Sequence, residues 1–181
     1  MKQNNIRIGT VGETAVALEL LKRGYDVINI NSTYQNYKNA DLVCMNPETG
    51  KSVLIQVKTG TTHNILTGFT SELDGSIPDI DKCIIGPWVF VYSPNKDFSG
   101  MEFYVMTQNE IKELITTSNL WYLKEWNRTL TRKPIIGVFV EWLQGQNSKG
   151  KSTQKLQYPE YVNKLGHNAC NRWDKIEALL K

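Results

Sequence analysis

The chain has 181 residues, 40% hydrophobic and 22% charged, a composition typical of one soluble globular domain and not of a collagenous or disordered protein. No apolar run approaches the ~20 residues of a membrane-spanning helix, and the polar N-terminus lacks a signal-peptide pattern, so a cytoplasmic protein without a membrane partner is expected. The net charge of +3 permits a nucleic-acid partner but does not require one.

The chain opens with a predicted helix that ends near Gly24. Thr10 is the expected N-cap, and Gly24 suits the left-handed residue that follows many helices. The apolar face of this helix comprises Val16, Ala17, Leu20 and Leu21. A strand is expected next, over residues 25–30.

The following segment predicts a β-hairpin. Two β-rich runs, 40–45 and 52–58, flank the turn-forming residues 47–50. Residues 59–86 show no clear period, so this stretch is the least well predicted part of the chain.

The turn of the hairpin sets its register. If Asn46 pairs with Lys51, Asp41 lies opposite Gln56, and Lys58 is the diagonal neighbour on the same face. A slip of one residue would turn Asp41 toward the apolar face, so the grouping of these side chains depends on this register.

The second half of the chain predicts two more strands and a helix. The strands cover residues 88–92 and 102–106. Thr107 and Glu110 then match a capping box, which opens a helix through Ile115.

The C-terminal third is divided by a polar stretch. Residues 134–143 are expected to form a strand, although a buried helix has the same apolar pattern. The polar residues 144–157 are expected to form a mobile loop between a core, 1–143, and a helical segment, 158–181, that packs on it. The apolar face of that last helix is predicted to contain Trp173, Ile176 and Leu180.

The cysteine and histidine content excludes the common zinc sites. Cys44, Cys83 and Cys170 are far apart without a CxxC spacing, which indicates reduced thiols. His63 and His167 are the only histidines, and neither belongs to an HExxH motif. Any metal ion is therefore expected to have oxygen ligands.

The hairpin brings together the chemistry that such a metal needs. The Asp41 carboxylate, the Gln56 amide oxygen and the carbonyl of Val57 form a hard oxygen site suited to Mg²⁺. Such a metal polarises a phosphoryl oxygen and makes its bound water more acidic, and the neighbouring Lys58 can hold the attacking water. This set of groups suits phosphodiester hydrolysis.

These residues resemble a known family. The Gly12-Glu13 pair on the first helix, Asp41 on the second strand and Gln56-Val57-Lys58 on the third are similar to the motifs of the PD-(D/E)XK (restriction-endonuclease-like) nuclease superfamily. The resemblance is greatest to its Holliday-junction-resolvase-like and small bacterial nuclease-like branches, some of which carry a QxK motif. It implies an α/β fold with an αβββαβ core, in which helices flank a mixed sheet.

The resemblance also implies a role for each site residue. Asp41 and Gln56 would bind Mg²⁺, with Mn²⁺ as a possible substitute, and Glu13 would be an accessory ligand through metal-bound water. Lys58 would position the water that attacks DNA. A homodimer is expected, because two DNA strands need two sites.

Two residues depart from the family pattern. Ala40 stands where a proline often precedes the aspartate, and Gln56 replaces the acidic residue of the motif. A neutral ligand leaves the site one negative charge short. The sequence therefore predicts a metal-dependent DNA endonuclease, with a catalytically inactive nucleic-acid-binding module, or a structural domain, as alternatives.

Each site residue also has a purely structural interpretation. Glu13 can complete a capping box with Thr10, which is as consistent with the sequence as a role in the site. Asp41 taken alone is typical of a strand entry, and Lys58 taken alone is typical of a solvated strand end. His63, just after the motif, fits a polar loop better than a catalytic role.

A basic and aromatic segment is the candidate DNA-binding surface. Its aromatic residues, Trp121, Tyr122 and Trp126, suit base stacking or, equally, the apolar face of an amphipathic helix. The basic side chains predicted to follow a nucleic-acid backbone are Lys124, Arg128, Arg132 and Lys133. Three lysines of the polar loop, at 149, 151 and 155, have the same two interpretations, phosphate contact or simple solvation.

Overall fold

A computed structural model describes residues 2–32, 37, 39–126, 131–145 and 169–181. The helices are α1 (Lys2–Lys22), α2 (Ile80–Cys83), α3 (Gln108–Trp126), α4 (Val140–Leu143) and α5 (Asp174–Leu180). The strands are β1 (Asp26–Asn29), β2 (Leu42–Met45), β3 (Ser52–Gly60), β4 (Asn64–Thr70), β5 (Trp88–Tyr92), β6 (Glu102–Met106) and β7 (Ile135–Phe139). No described helix is long and apolar enough to cross a membrane.

The central element is a five-stranded mixed sheet with the order β1-β2-β3-β5-β6. Among the strand pairs of the described residues, only β3–β5 is parallel, and β4 pairs with β7 in a separate antiparallel ribbon. The chain is thus an α/β protein with a mixed sheet, flanking helices and a C-terminal helix, as expected. The order αβββαβ is met by α1, β1–β3, α2 and β5, with β4 inserted after β3.

The sheet carries an apolar core on each face, because successive side chains of a strand point to opposite sides. On β5, Val89 and Val91 lie in the core that α1 and α5 cover, whereas Trp88 and Phe90 lie in the core that α3 covers. The face under α5 is completed by Trp173, Ile176 and Leu180, all of them nearly inaccessible. The predicted C-terminal helix and its apolar face are confirmed.

The first helix begins earlier than its sequence pattern indicates. α1 starts at Lys2, so Thr10 lies within the helix, and its hydroxyl donates to the carbonyl of Ile6, 3.1 Å away. This bond to the preceding turn is typical of a threonine inside a helix. The N-cap at Thr10 and the capping-box interpretation of Glu13 are therefore wrong. Gly24, at φ 87°, has the expected left-handed backbone.

The hairpin has the predicted register. Leu42 pairs with Ile55 and Met45 with Ser52, and Asn46 donates its N–H to the carbonyl of Lys51. The side chain of Asn46 also accepts the N–H of Glu48, which holds the turn closed. This register continues to the residue before β2 and brings Asp41 beside Gln56.

The elements predicted for the second half of the chain are present, except that the last predicted strand ends earlier than expected. The predicted strands at β5 and β6 are present, and the Thr107–Glu110 capping box opens α3. The segment 134–143 is a strand only as far as Phe139, and its last four residues form α4. Of the predicted polar loop, residues 146–157 lie outside the described residues.

Candidate functional site

Asp41 is the central residue of a polar cluster at the start of β2. It is 7% exposed, and its Oδ2 accepts the backbone N–H of Val57 at 2.7 Å and the side-chain amide of Gln56. Its Oδ1 accepts the side-chain amide of Asn31 at 3.0 Å. Three N–H donors therefore fix the carboxylate in one orientation and still leave acceptor capacity on it, since an ionised carboxylate offers roughly four lone-pair positions.

Glu13 joins this cluster from α1 through two asparagines. Its Oε2 accepts the side-chain amide of Asn29 at 3.0 Å, and its Oε1 lies 3.5 Å from the amide nitrogen of Asn31. Asn31 thus bridges the two carboxylates of Glu13 and Asp41. Neither asparagine was predicted as a site residue, although two side-chain amides spaced by two residues at the end of β1 were a signal that could have marked them.

Lys58 completes the cluster on β3. Its Nζ lies 5.4 Å from the centre of the Trp88 ring, an arrangement that favours the charged ammonium. Burial lowers the pKa of Lys58, and the nearby Asp41 and Glu13 carboxylates act in the opposite direction. The side chain is therefore a partly desolvated cation beside two acids.

The two acids repel each other across the cluster. Burial raises the pKa of Glu13, the Asn29 hydrogen bond acts against this, and the charge on Asp41 raises it further. A divalent cation between the carboxylates would relieve this repulsion.

The residues of the cluster fit Mg²⁺ by the chemistry of their donors. Asp41 and Glu13 supply carboxylates and Val57 supplies a strand carbonyl, all of them hard oxygens. Gln56 would supply its amide oxygen after a flip of its side-chain amide, whose nitrogen donates to Asp41 Oδ2 and, at 3.4 Å, to the Val57 carbonyl. Within the described ranges, no three Asp, Glu, His or Cys side chains form a metal-binding group. A metal here would depend on the two acids together with neutral oxygens and water.

A glycine lets α1 approach β3 closely enough to deliver Glu13. A Cβ added to Gly12 would lie 1.8 Å from the Thr59 Oγ1 and 2.9 Å from the Thr59 Cβ, so no rotation of Thr59 relieves the clash. The residue before Glu13 therefore has to be glycine for the helix to lie where it does.

Replacing Gly12 with Ala should destabilise the protein by about 1–3 kcal/mol through overpacking, despite the higher helix propensity of alanine. Gly9→Ala is the matched control, because a Cβ on Gly9 meets nothing within 4 Å. The control should be neutral or stabilise by up to about 1 kcal/mol. Urea denaturation of both variants measures this, and equal stabilities would contradict the proposed contact between α1 and β3.

The predicted DNA-binding residues lie outside this cluster. Lys124 is exposed near the end of α3, and Arg132 and Lys133 are exposed just before β7, where Lys133 forms an ion pair with Glu72. Arg128 lies outside the described residues, as do Lys149, Lys151 and Lys155.

His63, which follows the predicted motif in the sequence, lies in the turn between β3 and β4. Its Nδ1 is 3.2 Å from a carboxylate oxygen of Glu141, and its ring contacts that of Tyr92. This position fits a polar loop residue with local partners.

Comparisons with known proteins show a remote structural likeness and no sequence relative. No protein-family model matches the chain, and no curated protein matches it. Among solved structures, it is similar to a bacterial homing endonuclease, I-Ssp6803I, at 13% sequence identity and a TM-score of 0.44, over 96% of this chain and 91% of that chain.

Proposed function

We propose that the protein is a Mg²⁺-dependent endonuclease that hydrolyses phosphodiester bonds in DNA. The observation that carries this proposal is the convergence of Glu13, Asp41, Gln56 and Lys58 from α1, the start of β2 and β3. Two acids, neutral oxygens and a desolvated lysine are the groups that this hydrolysis needs.

Asp41, Gln56 and the carbonyl of Val57 are the residues that would hold the metal. Asp41 is already oriented by the Val57 N–H and by Asn31, so little reorganisation is needed when it binds a cation. When bound, Mg²⁺ would polarise a phosphoryl oxygen and increase the acidity of its water.

Lys58 would orient the attacking water and offset negative charge at the phosphorus. Its ammonium lies over Trp88 and in the field of both carboxylates, and a charge placed there acts strongly where water is partly excluded. Glu13 would hold a water of the metal shell, and Asn29 and Asn31 keep its carboxylate in place.

A second candidate function is DNA binding without catalysis. It is favoured by Gln56, whose side-chain amide donates a hydrogen bond to Asp41 and so supplies part of the neutralisation that a metal would give. In this alternative Lys124, Arg132 and Lys133 would bind the DNA backbone, as they would in the nuclease. We retain the nuclease as the main proposal, because a binding module has no need of the desolvated Lys58.

Cleavage of supercoiled, linear, branched and single-stranded DNA, with Mg²⁺ or Mn²⁺ and with EDTA, tests the proposal. The wild type should cut at least one substrate only when metal is present. Asp41→Asn should lower the rate by at least roughly 10²-fold, the scale of losing one preorganised electrostatic group.

Asp26→Asn is the matched control, because Asp26 is an exposed aspartate of the same sheet. It should cleave like the wild type. Failure of the wild type to cut any of the four substrates, or equal rates for Asp41→Asn and the wild type, would overturn the nuclease proposal.

A further inference from the structure

A cavity of about 570 Å³ lies apart from the polar cluster and is lined by α3, β7 and the first residue of β4. This volume is within the range of roughly 300–1,000 Å³ found for small-molecule sites. None of the cluster residues Glu13, Asn31, Asp41, Gln56 or Lys58 lines it.

Three residues of α3 that line the cavity carry unpaired polar atoms. Among the described residues, Ser118 Oγ, Asn119 Oδ1 and Trp121 Nε1 are buried without a hydrogen-bond partner. Ser118 is 3% exposed and Asn119 is 2% exposed. Leaving one such group unsatisfied costs about 1–3 kcal/mol, and a polar ligand in the cavity would relieve this cost for any of the three that turns toward it.

These atoms present a mixed donor and acceptor pattern. The Trp121 N–H is a donor and the Asn119 Oδ1 is an acceptor, whereas the Ser118 hydroxyl can both donate and accept. The amide nitrogen of Asn119 donates to the carbonyl of Gly75 at 2.8 Å, so its orientation is fixed. A heterocycle that carries both donors and acceptors, such as a nucleobase, complements this pattern.

The remaining walls supply stacking surface and positive charge. Tyr122 and Phe139 line the cavity beside Trp121, and aromatic side chains are the usual stacking partners of unpaired bases. Arg132 and Lys133 line it as well, no acidic residue is among the described residues that do, and Arg132 is exposed. A guanidinium in this position suits a phosphate.

We propose that this cavity binds one unpaired nucleotide, with its base against Ser118, Asn119 and Trp121 and its phosphate at Arg132. The ligand chemistry is that of a mononucleotide, either free or as an extrahelical residue of a DNA strand. In the second form the inference deepens the proposed nuclease function and depends on it.

Strand β4 connects the cavity to the polar cluster. Asn64 lines the cavity, and a Cβ on Gly68 would lie 3.8 Å from the Lys58 Nζ. Because β4 has an irregularity between Leu66 and Thr70, its four residues span at most about 13 Å, which is roughly four base steps along B-form DNA. A nucleotide in the cavity therefore lies within reach of the same DNA strand that Lys58 would act on.

Calorimetric titration with the four deoxynucleoside monophosphates tests the binding site. At least one should bind saturably, and Ser118→Ala and Arg132→Gln should each weaken its dissociation constant about five- to tenfold, the scale of one hydrogen bond. Ser118→Ala removes a hydroxyl without a protein partner, so its unfolding midpoint should equal that of the wild type or exceed it. Lys96→Gln, which removes an exposed charge elsewhere, should bind as the wild type does.

A duplex with a single bulged 2-aminopurine distinguishes the two sources of the nucleotide. A change in fluorescence on binding that Ser118→Ala reduces identifies a nucleotide of the strand, whereas binding of the monophosphates alone identifies a free nucleotide. No saturable binding of either probe, or equal binding by wild type, Ser118→Ala and Arg132→Gln, would overturn the proposal.

The cleavage and binding experiments distinguish a failure of the nuclease proposal from a failure of the nucleotide-site proposal. If the protein binds a nucleotide, Ser118→Ala weakens that binding, and no DNA is cleaved, only the nuclease proposal is rejected. Cleavage that depends on Asp41, without such binding, rejects only the nucleotide site.

Discussion

Replacing Lys58 with Met should lower the single-turnover rate of DNA cleavage by roughly 10²–10³-fold and leave the fold intact. The Lys58 Nζ lies over the Trp88 ring, and methionine places an apolar side chain of similar length there while it removes the ammonium. Burial of the charged ammonium lowers the pKa of Lys58, and methionine removes this cost of burying a charge. We therefore expect the variant to be as stable as the wild type, so that the lost rate reports on the reaction.

The rate is measured with enzyme in excess over labelled DNA, together with the affinity for the same DNA in Ca²⁺. Lys51→Met is the control, because Lys51 is an exposed lysine in the hairpin turn before β3. A rate within a few-fold of the wild type would remove Lys58 from the reaction. Equal losses of rate and affinity would assign it to DNA binding instead.

Replacing Glu110 with Ala should destabilise the protein by about 3–5 kcal/mol, the scale of leaving a buried charge without its partner. Both carboxylate oxygens of Glu110 lie 2.9 Å from the Nζ of Lys175, whose side chain is only 6% exposed. Glu110 also accepts the N–H of Thr107 at 2.8 Å and so caps α3. One carboxylate thus joins the start of α3 to α5.

A double variant separates the two roles of Glu110. Adding Lys175→Met removes the unpaired charge and should recover most of the loss, leaving about 1 kcal/mol for the missing cap. Urea denaturation at neutral pH measures all three proteins. A loss of less than about 1 kcal/mol for Glu110→Ala alone would contradict the assigned ion pair.

The same pair gives the protein a defined response to acid. Burial raises the pKa of Glu110, but the Thr107 N–H and the Lys175 ammonium outweigh it and hold the pKa below its ordinary value. A carboxyl with a lowered folded pKa stabilises the protein above its ordinary pKa, and this stabilisation is lost as the pH falls through the folded pKa. The stability difference between wild type and Glu110→Ala should therefore shrink in acid.

Local rules predict the part of the site that lies on one hairpin. The turn at 47–50 and the two-residue period of a strand were enough to place Asp41 beside Gln56. The Thr107–Glu110 capping box was also predictable from the sequence, because its two residues are only three positions apart. In both cases the contact depends on neighbours in the chain.

Non-local contacts account for what the sequence did not reveal. Thr10 suits an N-cap in isolation, and nothing near it shows that the helix begins at Lys2. The amide of Asn31 meets Glu13 and Asp41 only because α1 packs across β1 and the start of β2. The cavity depends on the pairing of β7 with β4, and the sequence of the segment that contains β4 shows no clear hydrophobic period from which this strand could be predicted.

The most direct test of the metal site is thermal unfolding of wild type, Gln56→Glu and Asp41→Asn with Mn²⁺ or Mg²⁺ and with EDTA. Gln56→Glu replaces a hydrogen bond to Asp41 by a second buried negative charge, so its midpoint in EDTA should fall below that of the wild type. Metal at about 100 times its dissociation constant should then stabilise this variant by about 2.7 kcal/mol, or roughly 5–10 °C. The wild type should gain less, and Asp41→Asn should gain nothing. Equal midpoints with metal and EDTA in both the wild type and Gln56→Glu would contradict a metal site at Asp41 and Gln56.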